Sequence, residues 1–211
     1  MKSFLPALFA IFASSVLAHA GPVALSDGKT FNGWEGDTEK TWRIEDGAFV
    51  GGSLKEKVPH NEFLTTTKSY ANFELRLKFK LVGTEGFING GVQFRSVRSP
   101  KDSKAPWEMI GYQADEGDGY YGSLYDESRR KKTLVSPDKA LIDKILKKDD
   151  WNDYRIRCEG KHIQLWINGE QTVDYTEPDD TIEQTGLIGL QVHGNGKTEA
   201  WYKDIVIEEL P

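Results

Sequence analysis

Sulfur and imidazole are scarce in this chain of 211 residues. Its one cysteine, Cys158, forbids an internal disulfide and excludes a thiolate-based zinc cluster. Four histidines leave a small stock of metal ligands or neutral-pH bases. Excess basic charge is missing too: 27 Lys+Arg face 33 Asp+Glu, a formal charge of −6, so no positive field draws a polyphosphate and nucleic acid is a poor partner. Beyond the first twenty residues no segment approaches the ~18 consecutive apolar residues of a membrane span. Chemistry must therefore come from carboxylates, amides, Arg, Tyr and the few His.

The first twenty residues hold the one long apolar stretch. Lys2 precedes the run Phe4 to Ala13, and Ala18-His19-Ala20 closes it before Gly21-Pro22. A short cationic start, an apolar centre and an A-x-A-like end are the parts of a cleavable secretory signal. Cleavage after Ala20 and a periplasmic or secreted destination are expected. Removing residues 1–20 takes away Lys2 and His19 and leaves three histidines: His60, His162 and His193.

Strict alternation dominates the remainder. In Phe73 to Leu81 the apolar residues occupy every odd position and charged ones every even position, which at period two is a strand with one buried and one wet face. The same reading covers Trp42–Ile44, Ala48–Val50, Glu62–Thr66, Gly91–Arg95, Met109–Asp115, Tyr121–Tyr125, Tyr154–Glu159, His162–Ile167, Leu187–His193 and Ala200–Glu208. Turn signals such as Asn168-Gly169 and Gly194-Asn195-Gly196 separate them. Leu141, Ile142, Ile145 and Leu146 instead recur at helical spacing, so a short inserted helix is expected near 137–148, capped by Ser136 with Pro137 at its first position. Some eleven strands and one helix predict an all-β, two-sheet sandwich of jelly-roll type spanning residues 21–211 as one unit. Cys158, alternating with Tyr154 and Ile156, reads as an unpaired thiol in a strand interior.

Each strand of a sandwich buries one face, so the opposite parity shows what meets solvent or ligand. Gln93 and Arg95 share such a face; so do Gly111, Gln113 and Asp115, and so do Gln191 and His193. If these strands are neighbours, they lay out one base, one cation, one carboxylate and several amides. That composition suits a sugar, whose hydroxyls need paired donors and acceptors while its C–H faces seek aromatic walls. Of 24 aromatic residues, Trp107, Tyr112, Tyr120, Tyr121, Tyr125 and Trp166 lie in or beside these strands.

Several stretches carry a resemblance: Asp27 to Trp34, His60-Asn61-Glu62-Phe63-Leu64, Asn89 to Arg95, Gly111 to Asp115, Tyr121 to Glu127, Trp151 to Ile156, Trp166 to Gly169 and Gly189 to Gly194. In this order they resemble the bacterial 3-keto-disaccharide hydrolase family, also described as 3-keto-glucoside lyases and hydratases. The resemblance implies a concanavalin A-like jelly roll, export, and action on glycosides oxidised at the third carbon of the sugar. It places Asn89 to Arg95, Tyr112 to Asp115, Tyr125 to Glu127, His60-Asn61 and Gln191 to His193 in the site.

A ketone at C3 acidifies the C2 hydrogen, so a base can remove it, donors can hold the enolate, and the C1 substituent can leave by elimination. His193 is the first candidate base, with Asp115 orienting it or acting as base itself. Tyr125 is the candidate donor to the departing oxygen. Arg95, Gln113, Gln93, Gln191, Asn89, His60, Asn61, Tyr112 and Glu127 are candidates for substrate binding. A divalent metal on Asp115, Glu127 or His193 could polarise the ketone. A retaining glucanase on this fold would need two carboxylates ≈ 5–5.5 Å apart; Glu116-Gly117-Asp118-Gly119-Tyr120-Tyr121 lacks the second Glu of the E-x-D-x-x-E signature that such enzymes carry. The competing reading is a non-catalytic, lectin-like carbohydrate-binding module. A third is a protein-interaction sandwich, which would show an exposed apolar patch and no pocket.

Overall fold

A computed structural model describes residues 21–211; the expected signal segment lies outside the described residues. Fifteen strands and one helix form two sheets. The first contains β1 (Val23–Ala24), β3 (Trp42–Glu45), β4 (Ala48–Gly52), β6 (Phe73–Gly86), β11 (Asn152–Glu159), β12 (His162–Ile167), β13 (Glu170–Thr176) and β15 (Gly196–Glu209). The second contains β2 (Trp34–Glu35), β5 (Glu62–Thr66), β7 (Asn89–Arg98), β8 (Met109–Gly117), β9 (Leu124–Glu127), β10 (Lys132–Val135) and β14 (Leu187–Val192). Their order is β13-β12-β11-β6-β15-β4-β3, with β1 on β15, and β10-β9-β8-β7-β14-β5-β2. All pairings are antiparallel.

The alternation read from the sequence builds the core between these sheets. Phe73, Leu75, Leu77, Phe79 and Leu81 of β6 face Val92 and Phe94 of β7, Tyr112 and Ala114 of β8, and Ile188, Leu190 and Val192 of β14 in one buried cluster. At roughly 1.5–3 kcal/mol per fully buried large apolar side chain, this cluster is the main stabilising element. Cys158 is a free thiol in that interior, where burial pushes its pKa up to about 12.

Three local expectations are corrected. The helix α1 is shorter than expected, Lys139–Ile145, and Asp138 rather than Ser136 caps it by accepting from the Ala140 N–H at 2.9 Å. The strand expected at Tyr121–Tyr125 starts at Leu124, because Gly117 to Ser123 turn tightly: the Tyr120 and Tyr121 N–H groups both donate to Gly117 O. The extra strands β1, β2, β10 and β13 are short or polar, so their alternation is too weak to read.

Candidate active site

Strand β7 runs between β8 and β14, and its register decides what meets on the face turned away from the core. Gly91 pairs with Asp115 on one side and with Gln191 on the other; Gln93 pairs with Gln113 and Gly189. Gly91 leaves the middle of the floor empty, and a Cβ there would lie 2.8 Å from Gln113 Nε2. From the interior, Tyr202 reaches across to support this floor: its hydroxyl accepts from the Gly91 N–H at 3.1 Å and donates to Gln191 O at 2.8 Å.

A directional chain of side chains crosses the floor. Ser96 Oγ donates to Gln93 Oε1 (2.7 Å), and Gln93 Nε2 donates to Gln113 Oε1 (2.7 Å). Gln113 Nε2 then donates to Gln191 Oε1 (3.1 Å) and, at 3.4 Å, to Asp115 Oδ1. The same Oδ1 accepts from Asn89 Nδ2 (2.9 Å) and from the Glu116 N–H (2.9 Å). All three donors converge on Oδ1, and Oδ2 makes no hydrogen bond within the protein. Asp115 is 4% exposed, and burial outweighs those donors and raises its pKa to about 7.

A cavity of about 190 Å³ opens over this carboxyl. Asn61, Asn89, Gln113, Asp115, Tyr125, Glu127 and His193, all singled out in the sequence, line it together with Phe87 and Tyr120. Glu127 is a second carboxyl with its pKa raised to about 7, by burial first and then by the charge of Glu108; the Ser128 donors and the charge of Lys131 oppose this without outweighing it. Just beneath, on the core side of β8, Glu116 is fully buried against Tyr202, and burial drives its pKa well up. Tyr125, partly exposed, has no hydrogen-bond partner for its hydroxyl, and burial followed by the Glu127 charge raises its pKa.

His193 follows the last residue of β14, and its N–H donates to Asn89 O at 3.0 Å. Its Nδ1 lies 2.8 Å from Gly194 O; a carbonyl can only accept, so Nδ1 carries the hydrogen and the neutral ring keeps its lone pair on Nε2. Asn61 fixes this turn by accepting the Gly194 N–H at 3.0 Å, and its own amide donates to Glu108 at 3.1 and 3.3 Å. The expectation that Asp115 orients His193 is thus replaced: a backbone carbonyl does that. Asp115 pairs with Gly91 on one side of β7, and His193, on the other side, is level with Asn89 two residues along. Both line the one cavity.

Other predicted residues go elsewhere. Arg95 does not share the face of Gln93: a bulge between Phe94 and Val97 puts it at φ 46° and turns it under the opposite end of β7. There it donates to Ala71 O, Gly160 O, Gln184 Oε1 and Asn72 Oδ1 and ties three loops. Tyr112 faces the core, stacked on Phe94, with its hydroxyl donating to Glu177 at 2.6 Å. Gln93 and Gln191 are fully buried beneath the cavity and act by orienting Gln113. His60 lines a different cleft, stacks on Trp107 at 4.4 Å and lies 3.3 Å from Glu62. Trp166 is on the outer face of the other sheet under the Arg155 guanidinium, not in the core. Among the described residues no group of three His, Cys, Asp or Glu side chains gathers in a way that could hold a metal ion, Asp115, Glu127 and His193 included.

Two contributors were not singled out. Phe87 stands edge-on to His193 (4.7 Å) and to Tyr120 (6.1 Å) and forms an aromatic rim, but it follows a Gly-Thr-Glu-Gly turn where strand parity is lost. Glu108 precedes β8 and carries no local signal at all.

The profile of the family described as 3-keto-alpha-glucoside-1,2-lyase-like domain matches residues 21–208. The chain belongs to this family. No functionally curated protein matches 3-keto-alpha-glucoside-1,2-lyase-like residues 21–208 or the rest of the chain in sequence. Solved structures similar to it include a candidate glycosyl hydrolase from Parabacteroides distasonis, at 23% identity and TM-score 0.66, covering 90% of this chain and 94% of that one. The carbohydrate-binding module CBM66 from Bacillus subtilis follows at 17% identity and TM-score 0.62, covering 84% and 96%. A lichenase from a mouse hindgut metagenome aligns at 11% identity and TM-score 0.53, covering 90% and 99%. At these identities the likeness is one of fold: this 3-keto-alpha-glucoside-1,2-lyase-like chain is a jelly-roll sandwich.

Proposed function

We propose that this protein cleaves glycosides whose sugar carries a ketone at C3, by removing the C2 proton and expelling the C1 substituent. The observation that carries the reading is Asp115: a carboxyl with one oxygen held by three donors, the other open to the cavity, and a pKa of about 7. A base is most effective when its pKa lies near the working pH. Asp115 Oδ2 takes the proton from C2, and the C–H electron pair passes into an enolate on the C3 oxygen. The unpartnered Tyr125 hydroxyl and the second amide hydrogen of Asn89 are the donors left for that oxygen. The enolate then collapses to a C1=C2 double bond, and the glycosidic oxygen departs with a proton from His193 Nε2–H in its imidazolium form. Addition of water at C1, with return of the proton to C2, completes net hydrolysis.

The membership in a 3-keto-glucoside lyase-like family supports this substrate class. Aglycone release from a chromogenic 3-keto-glucoside, compared with the ordinary glucoside, tests it. Release from the keto form alone, lost in Asp115→Asn, is expected; equal release from both, or an active Asp115→Asn, would sink it. The aromatic rim of Phe87 and Tyr120 favours a second reading, a carbohydrate-binding module, which sugar binding without any release would select. The reading includes export: the mature chain begins at Gly21 and works outside the cytoplasmic membrane on substrate made by a sugar 3-dehydrogenase. N-terminal sequencing of protein from the periplasm or medium checks this.

A further inference from the structure

A larger cavity, about 560 Å³, lies on the other side of the Gly117–Ser123 turn, under α1. Tyr121, Pro137, Ile142 and Leu146 make its apolar walls, and the hydroxyls of Ser123 and Ser136 sit among them. Successive residues divide the two cavities: Tyr120 lines the one over Asp115 and Tyr121 lines this one. Two features need explanation. Tyr121 is 8% exposed, its ring is stacked on Phe79, and yet its hydroxyl makes no hydrogen bond within the protein. That hydroxyl keeps contact with solvent, so a ligand's hydroxyl can take the place of water on it. The helix above has no fully buried residue; Ile142, Ile145 and Leu146 only partly cover the core.

We infer that this cavity is a second ligand site, for a small neutral phenol or aryl alcohol. The walls take a flat apolar ring. The Tyr121 hydroxyl takes the ligand's hydroxyl. Charge is not called for, because the cations at the rim are already matched: Lys148 with Asp118 at 3.5 Å and Lys139 with Asp143 at 2.6 Å. The Lys148–Asp118 pair, which joins the end of the helical segment to the turn, is largely exposed and adds little to closure, so entry beneath α1 is not locked. The site is independent of the reaction proposed at Asp115.

Calorimetric titration of the full chain with phenol tests the inference. One saturable site is expected. Tyr121→Phe should weaken binding about 3- to 10-fold, the range of one hydrogen bond. Ile142→Trp, a change at a partly exposed helix position, should fill the cavity and abolish binding while leaving the melting temperature within a few degrees. Asp115→Asn should bind phenol as the parent does. No saturable binding, or unchanged affinity in Ile142→Trp, would overturn the site; unchanged affinity in Tyr121→Phe would overturn the role of the hydroxyl. Loss in Asp115→Asn would show phenol in the other cavity and overturn the assignment. Should Tyr121→Phe unfold, Ile142→Trp still decides.

Discussion

Asp126 and Glu127 are neighbours on β9, and the pleat sends them to opposite faces with opposite fates. Asp126, fully buried, is held by Arg129 at 2.9 Å and by Arg130; Arg130 also grips Glu177 with two bonds, at 2.6 and 3.1 Å, and Tyr112 donates to that carboxylate. These partners outweigh burial and pull Glu177 down to a pKa of about 2. Glu127, one residue on, enters the cavity with Asp115, where no salt bridge forms, the charge of Lys131 does not outweigh burial of Glu127, and both pKa values rise to about 7. One cluster uses buried charge to hold loops together. The other leaves buried carboxyls undercompensated, which costs stability and leaves a group able to exchange a proton near neutral pH.

The widest separation between the two regions should come from paired variants. Asp115→Asn is expected to lower kcat on a 3-keto-glucoside by about 10²–10⁴-fold with no loss of folding stability at pH 8, whereas Asp126→Asn should cost about 3–5 kcal/mol in denaturant melts by stranding Arg129 and leaving Arg130 to Glu177 alone. Comparable destabilisation by both would erase the distinction. Gly91→Ala should come next, since its Cβ must push Gln113 off Asp115; a loss of about 1–3 kcal/mol together with reduced kcat is expected.

The pH dependences should run in opposite senses. A carboxyl whose folded pKa is raised contributes stability that is present below about pH 4 and lost as pH rises through 7, so an Asp115→Asn, Glu127→Gln double variant should flatten that decline in melts between pH 4 and 8. Glu177, with a lowered pKa, contributes stability that is lost as pH falls from about 4.5 through 2, and Glu177→Gln should remove that acid-side loss. The acid limb of the kcat/KM profile should rise with pH through about 7 as Asp115 ionises. Smallest of all, Glu127→Gln removes a charge that raises Asp115, and should move the midpoint of that limb down by less than one pH unit; an upward move would break the pairing of the two carboxyls.

Much of the cavity was legible because strand parity is a local property. Gln113, Asp115 and His193 could be assigned to the non-core face from alternation alone, and the cavity does collect them. Arg95 obeys the same alternation in sequence and departs from it in space, because two residues of β7 bulge between Phe94 and Val97 and the left-handed backbone at Arg95 reverses its side chain. Phe87 and Glu108 lie outside regular strands, where no period exists to read.

By itself the sequence determined the class of fold, the inward face of most strands and the kinds of group available for chemistry, since period-two burial and composition act residue by residue. Only the tertiary structure decided that β7 would lie between β8 and β14, that Gly91 would open the floor between Asp115 and Gln191, and that Asp126 would find two arginines while Glu127 found none. Those outcomes depend on register and on which segments distant in the chain come to pack together, and a carboxyl's proton affinity follows from those neighbours rather than from its own place in the chain.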